Sequence, residues 1–180
     1  MTNWCSDELY FWSDDASETK RLYDDISNLM NGRNAVALSE ITSFYGDDDE
    51  IGGRGTCYSV NFEKNAVYMY CETAWGPSDD MFDFIAEHYK KMKYVYMAIE
   101  PGCDVYVNTD RPNKPRFFPQ KYILDEENEG MMFFSNAKEL LAKLNELQET
   151  HIRTLKAAKK YAWDWNCSHD EYLAIHVFNE

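Results

Sequence analysis

The sequence predicts an α+β protein in which residues 1–110 run in the order β-α-β-β-α-β and residues 111–180 add a strand, long helix, strand extension. Three observations predict this. Two runs with strand composition flank Lys64-Asn65, two capped amphipathic stretches separate strands on either side of them, and the composition demands a folded core. The 180 residues carry a formal net charge of −14, yet 16% of them are aromatic. Acid-rich chains that stay unfolded are poor in aromatics, so a folded, strongly acidic protein is expected.

Leu9 to Trp12 is a short aromatic strand candidate. Ser13-Asp14-Asp15 then supplies N-cap chemistry for a helix from about Ala16 to Asn31, with Leu22, Ile26 and Leu29 at helical spacing and Gly32 ending it. Residues 33–54 read as an acidic insertion with one short element, carrying the run Asp47-Asp48-Asp49-Glu50 ahead of Gly52-Gly53. Gly55 to Glu63 and Ala66 to Thr73 form a predicted hairpin about Lys64-Asn65. If Glu63 faces Ala66, Tyr58, Val60 and Phe62 share an apolar face with Cys71, Met69 and Val67, which places Cys57 and Cys71 on opposite faces. Pro77-Ser78-Asp79-Asp80 opens a second helix running to about Lys91, with Met81, Phe84, Ile85 and His88 as its stripe. Tyr94 to Ile99 and Cys103 to Asn108 follow as strands. This order is the ferredoxin-like split βαβ pattern.

The extension begins with the basic, Pro-broken loop Arg111 to Arg116. Phe117 to Leu124 and Met131 to Phe134 are strand candidates, and Ser135 caps a long helix with the stripe Leu140, Leu144, Leu147, His151, Leu155, Ala158, Ala162 and Trp165. Leu173 to Phe178 is the last strand. The expected organisation is a ferredoxin-like domain over 1–110 and an extension over 111–180 packed on it as one globular unit.

Three short pieces, Asn3-Trp4-Cys5, Glu72-Thr73-Ala74-Trp75 with Pro77, and Glu100-Pro101-Gly102, resemble in order and spacing the YubB-type ferredoxin-like family of phage and plasmid genes. The resemblance covers about residues 1–108. It implies a ferredoxin-like fold and a mobile-element setting, and assigns no catalytic residue.

Five cysteines without a C-x-x-C pair argue against both a disulfide scaffold and a zinc ribbon, and point to a reducing cytoplasm. No apolar run reaches the length of a membrane span, and the first residues are acidic where a signal peptide is basic. No metal or other cofactor is expected: the four histidines are scattered, Asp47 to Glu50 lacks the alternation of a calcium loop, and Gly52-Gly53-Arg54-Gly55 lacks the lysine of a phosphate cradle. Cys167-Ser168-His169-Asp170 places a thiol beside an imidazole, but reads first as a helix end with a capped turn.

The charge favours a non-enzymatic acidic binding protein that associates with a basic host protein without membrane or cofactor. In its sharper form, Asp14, Asp15, Asp24, Asp25, Asp47, Asp48, Asp49 and Glu50 imitate phosphates and fill the nucleic-acid groove of a host defence effector. One alternative is a single-stranded nucleic-acid-binding module using Tyr68 and Tyr70 on an open sheet face with Arg111, Lys114 and Arg116, unless the C-terminal helix covers the rings. The other is a small thiol enzyme centred on Cys167 and His169.

Overall fold

The computed structural model describes residues 3–46, 51, 54–110 and 114–179. The chain divides into two compact units, Met1–Thr109 and Asp110–Glu180, each a mixture of helix and antiparallel sheet.

The first unit runs β1 (Trp4–Trp12), α1 (Ala16–Met30), β2 (Val36–Ala37), α2 (Leu38–Phe44), β3 (Gly55–Glu63), β4 (Ala66–Ala74), α3 (Asp79–Glu87), β5 (Lys93–Glu100), a 3-10 turn (Pro101–Cys103) and β6 (Val105–Asn108). Its sheet has the order β2-β3-β4-β1-β5-β6. α1 lies on the path from β1 to β3, across β4, and α3 on the path from β4 to β5, across β1. Both helices contribute to one apolar core, Leu22 and Ile26 from α1 and Met81, Phe82 and Ile85 from α3, against Leu9, Phe11, Val67, Met69 and Ala98 of the sheet. Asp15 caps α1, its carboxylate accepting from the Ser17 amide at 3.1 Å, and Asn31 and Gly32 close it with φ of 42° and 74°. In α3 the buried stripe takes Phe82 rather than Phe84. The helix stops at Glu87, and His88 is its exposed C-cap.

β1 begins at Trp4, well before the expected Leu9. It is an alternating strand whose inward positions are Cys5, Asp7, Leu9 and Phe11, all fully buried. The insertion before β3 also holds more structure than one short element. Val36, Leu38 and Ile41 anchor β2 and α2 in the core, and Asp47 to Glu50 lie outside the described residues.

The β3–β4 hairpin turns through Lys64 and Asn65, both at positive φ (52° and 55°), the mirror-image turn that suits strand twist. The expected register holds from Glu63 opposite Ala66 to Ser59 opposite Tyr70, then shifts between Cys57 and Ser59. Cys57 therefore stands opposite Cys71, which corrects the expectation that these thiols occupy opposite faces. The bulge at Tyr58 is the cause: one extra residue moves the tyrosine to the far side of the sheet and lets the smaller thiol enter the core. Both cysteines are free and buried, and the Cys57 sulfur together with burial pushes the Cys71 thiol well above its ordinary value. Gly55 is required beyond the bulge, because a Cβ there would stand 2.3 Å from the Glu72 carbonyl oxygen and 2.8 Å from Leu38 Cδ1.

In the second unit β7 (Tyr122–Glu126), β8 (Gly130–Phe134) and β9 (Leu173–Val177) form a sheet of order β8-β7-β9, accompanied by α4 (Ala137–Leu147) and α5 (Leu155–Ser168). The strand expected from Phe117 starts only at Tyr122. The amides of Arg116, Phe117 and Phe118 instead donate to the Asp110 carboxylate at 2.8, 2.6 and 2.9 Å, so they take no part in a ladder. The expected single long helix is two. Thr154 caps α5 by accepting from the Ala157 amide, and Asn145 accepts from the Ile152 amide and donates to the Ile152 carbonyl, closing the connection. His151 is exposed in that loop. The apolar stripe survives as two halves, Leu140 and Leu144 with Ala158 and Ala162, buried with Leu124, Leu173 and Ile175.

Asp7 is the unusual member of the first core. Cys5 Sγ donates to Asp7 Oδ1 at 3.4 Å, while Thr73 Oγ1 lies against Asp7 Oδ2 and 2.7 Å from the Gly76 carbonyl. Thr73 has one hydroxyl proton for two oxygens. A protonated Asp7 resolves the conflict by donating to Thr73, which then donates to Gly76. Burial pushes the carboxyl up from 3.8 to about 7, against the lowering effect of the Cys5 hydrogen bond, and Asp79 raises it further. Because the folded chain holds a proton that the unfolded chain releases, stability falls as pH rises from 3.8 to about 7 and levels off above. Asp7→Asn supplies the same donor to Thr73 without a titrating group. Denaturant unfolding should find it more stable than the parent by roughly 2–4 kcal/mol at pH 8 and near parity at pH 4; a pH-independent difference would contradict this account.

Candidate functional site

The sheet face opposite α1 and α3 carries tyrosines and carboxylates in contact. Pairing sets Tyr10 opposite Tyr68, Glu8 opposite Tyr70 and Ser6 opposite Glu72 on β1 and β4, and the bulge adds Tyr58 from β3. Tyr68 donates to Glu8 at 3.2 Å, Tyr58 and Tyr70 donate to Glu72 at 3.0 and 3.4 Å, and Tyr10 donates to Glu63. The Tyr10 and Tyr68 rings are 5.2 Å apart, and those of Tyr58 and Tyr70 6.0 Å. Burial, then the nearby carboxylates, pushes the Tyr10 and Tyr68 phenols up, and the Glu72 hydrogen bond raises Tyr58. The phenols thus stay donors and the carboxylates receive them. No ion pair to Glu8, Glu63 or Glu72 occurs among the described residues. Each retains acceptor capacity, since a carboxylate offers about four lone-pair sites.

The acids singled out in the sequence are more committed. Asp14 pairs with Lys93 at 2.8 Å, Asp24 pairs with Lys20, Asp15 caps α1, and Asp25 accepts from the Tyr89 hydroxyl at 2.7 Å. Tyr68 and Tyr70 do share one face, half-buried, with their hydroxyls spent on carboxylates. Of the basic loop, Arg111 lies outside the described residues, Lys114 is exposed, and the Arg116 guanidinium sits 4.8 Å from the Phe117 ring centroid. Tyr58, Tyr10 and the three glutamates are the members of this face that sequence reading missed. Tyr58 was hidden by the bulge, and strict alternation assigns it to the core.

The three sequence pieces that carry the family resemblance meet at one end of the sheet. Trp4 and Cys5 pair with Ala74 and Thr73, the Trp75 amide donates to the Asn3 carbonyl at 2.9 Å, and a Cβ on Gly102 would fall 2.7 Å from Asn3 Nδ2. Glu100 accepts from the Cys103 amide and closes the 3-10 turn. These contacts fix the start of β1, and they leave Trp4 and Trp75 48% and 52% exposed.

At the end of α5, His169 stacks on Trp165 at 3.7 Å, and its Nδ1 lies 2.9 Å from Ser168 Oγ and 3.2 Å from the Trp165 carbonyl. Cys167 is exposed and makes no hydrogen bond to that ring. The thiol and the imidazole are neighbours in sequence without forming a pair. Among the described residues no group of three His, Cys, Asp or Glu is placed to hold a metal ion, and no helix is long and apolar enough to cross a membrane. A scan against protein-family models and searches of curated proteins and of solved structures return no match for this chain.

The cysteines give a direct check on this geometry. Iodoacetamide near neutral pH should label Cys167 first but no faster than a free thiol, and Cys103 more slowly, because its hydrogen bond to Glu100 raises it. Cys5, Cys57 and Cys71 should react only on unfolding. Peptide mass mapping that finds Cys167 labelled faster than glutathione would restore the thiol-enzyme reading.

Proposed function

We propose that this chain is a non-enzymatic binding protein from a phage or other mobile element, acting by stoichiometric association with a basic host protein. A nucleic-acid-binding defence effector is the partner class that such a surface suits. The first unit is read as a ferredoxin-like split βαβ module with two added edge strands. The order β3-β4-β1-β5, with α1 and α3 on the crossing connections, supports that reading. The three family-like pieces meet at one end of the sheet, which supports the resemblance from which the mobile-element setting is inferred.

The observation that carries the function is the chemistry of the tyrosine face. Glu8 and Glu72 are held by phenol hydroxyls instead of by lysine or arginine, so they are positioned without being neutralised, whereas Glu63 shares the Tyr10 hydroxyl with Lys64. An ion pair would cancel this charge; a phenol hydrogen bond only orients it. In a chain of net charge −14 such a face repels phosphate and attracts cations. The same commitments weigh against base stacking, since a nucleic-acid strand laid on Tyr68 and Tyr70 would bring its phosphates to Glu8 and Glu72.

Two measurements separate these readings. Gel shift with single-stranded RNA should show no complex at micromolar protein and moderate salt, while titration with protamine, an arginine-rich protein, should show saturable binding that weakens steeply as salt rises. A shifted RNA band together with no protamine binding would overturn the proposal.

A further inference from the structure

Among the described residues of the first unit, two tyrosines lie beside a cation and donate their hydroxyl to a carboxylate. Lys64 Nζ donates to the Tyr10 hydroxyl at 3.3 Å and stands 5.1 Å from the ring centroid, and that hydroxyl donates to Glu63. The Arg21 guanidinium stands 4.6 Å from the Tyr89 ring centroid, and the Tyr89 hydroxyl donates to Asp25 at 2.7 Å. A third set of the same parts lies at the far end of the tyrosine face. There Tyr58 and Tyr70 both donate to Glu72, Ser6 Oγ lies 3.5 Å from the Tyr70 hydroxyl, and Tyr58 is 41% exposed. None of these groups contacts a lysine or arginine of the chain, among the described residues.

We propose that Tyr58, Tyr70 and Glu72 form a binding site for an arginine side chain of the basic partner, with the guanidinium lying over the phenol rings and hydrogen-bonded to Glu72. The inference rests on the acidic-binder reading above and names the group it recognises. Three physical points favour arginine. A planar guanidinium stacks on an aromatic face and donates in a fork that matches a carboxylate, whereas an ammonium is a compact, strongly hydrated point charge. Two rings tilted at 36° with centroids 6.0 Å apart make a platform wide enough for a planar group. The two hydroxyls on Glu72 hold the carboxylate in place before a ligand arrives, which lowers the ordering cost of binding. Trp4 follows Ser6 outward on the same face of β1 and is exposed, extending the aromatic surface for the residues flanking such an arginine.

The test uses the full chain titrated with hexa-arginine and hexa-lysine peptides by isothermal calorimetry at low ionic strength, with circular dichroism on every variant. Hexa-arginine should bind more tightly than hexa-lysine. Glu72→Gln and Tyr58→Ala should each weaken hexa-arginine by about five-fold or more, and Tyr58→Phe, which keeps the ring, should weaken it by less than about two-fold. Glu87→Gln at the end of α3 removes the same unit of charge from an exposed position elsewhere and should change affinity by less than about two-fold. If hexa-arginine binds but Glu72→Gln is no weaker than Glu87→Gln, or if the two peptides bind equally, the arginine site is wrong and the acidic-binder reading stands. If neither peptide binds, both fall.

Discussion

The two-residue alternation of the central strands β1 and β4 is the constraint on which the first unit depends. It sends Cys5, Asp7, Leu9 and Phe11 inward with Val67, Met69, Cys71 and Thr73, and Ser6, Glu8 and Tyr10 outward with Tyr68, Tyr70 and Glu72. Both faces contain acids, and the two environments treat them oppositely. Inside, Asp7 is driven toward its neutral form and acts as a hydrogen-bond donor in a small relay. Outside, the glutamates are oriented by phenols that keep their protons. A one-residue slip of β1 would exchange these sets and place an unpaired carboxylate in the core, so the register is fixed by charge as well as by apolar burial.

The bulge at Tyr58 links this constraint to the surface. Without it, the edge side of the hairpin would present Cys57 outward and force a tyrosine ring against Cys71. With it, two small thiols fill the core and a phenol joins Tyr70 above Glu72. The same local irregularity improves the packing of one face and concentrates aromatic rings and charge on the other. Gly55, pressed against the Glu72 backbone and Leu38, keeps the strand end compatible with this geometry.

Most of the first unit was legible in the sequence because its signals are local: Asp15 as a cap, Asn31-Gly32 as a stop, Lys64-Asn65 as a turn, and Leu22 with Ile26 as a stripe. What was not legible depended on partners distant in sequence. Asp7 lies ahead of the expected strand, and nothing local marks it as a core residue until Cys5 and Thr73 close around it. Thr154 was overlooked as a cap because the apolar stripe continues in phase across the break between α4 and α5. Phe117 and Phe118 have strand composition, and Asp110 takes their amides. The tyrosine face was half read: Tyr68 and Tyr70 stood out as a pair, but Glu8, Glu63 and Glu72, the carboxylates that take up the phenol hydroxyls, lie on other strands or at positions that composition alone leaves unassigned.

These features describe a surface whose charge is arranged by hydrogen bonds, and association with a cationic partner is the behaviour we propose for it. The most direct measurement is the ring chemical shifts of Tyr58 and Tyr70, followed by carbon-edited nuclear magnetic resonance on the full chain during addition of an arginine-rich protein. The account predicts saturable shifts of both rings, with the buried core signals unmoved. Shifts confined to α1, or ring shifts produced by single-stranded RNA and by no cationic protein, would contradict it.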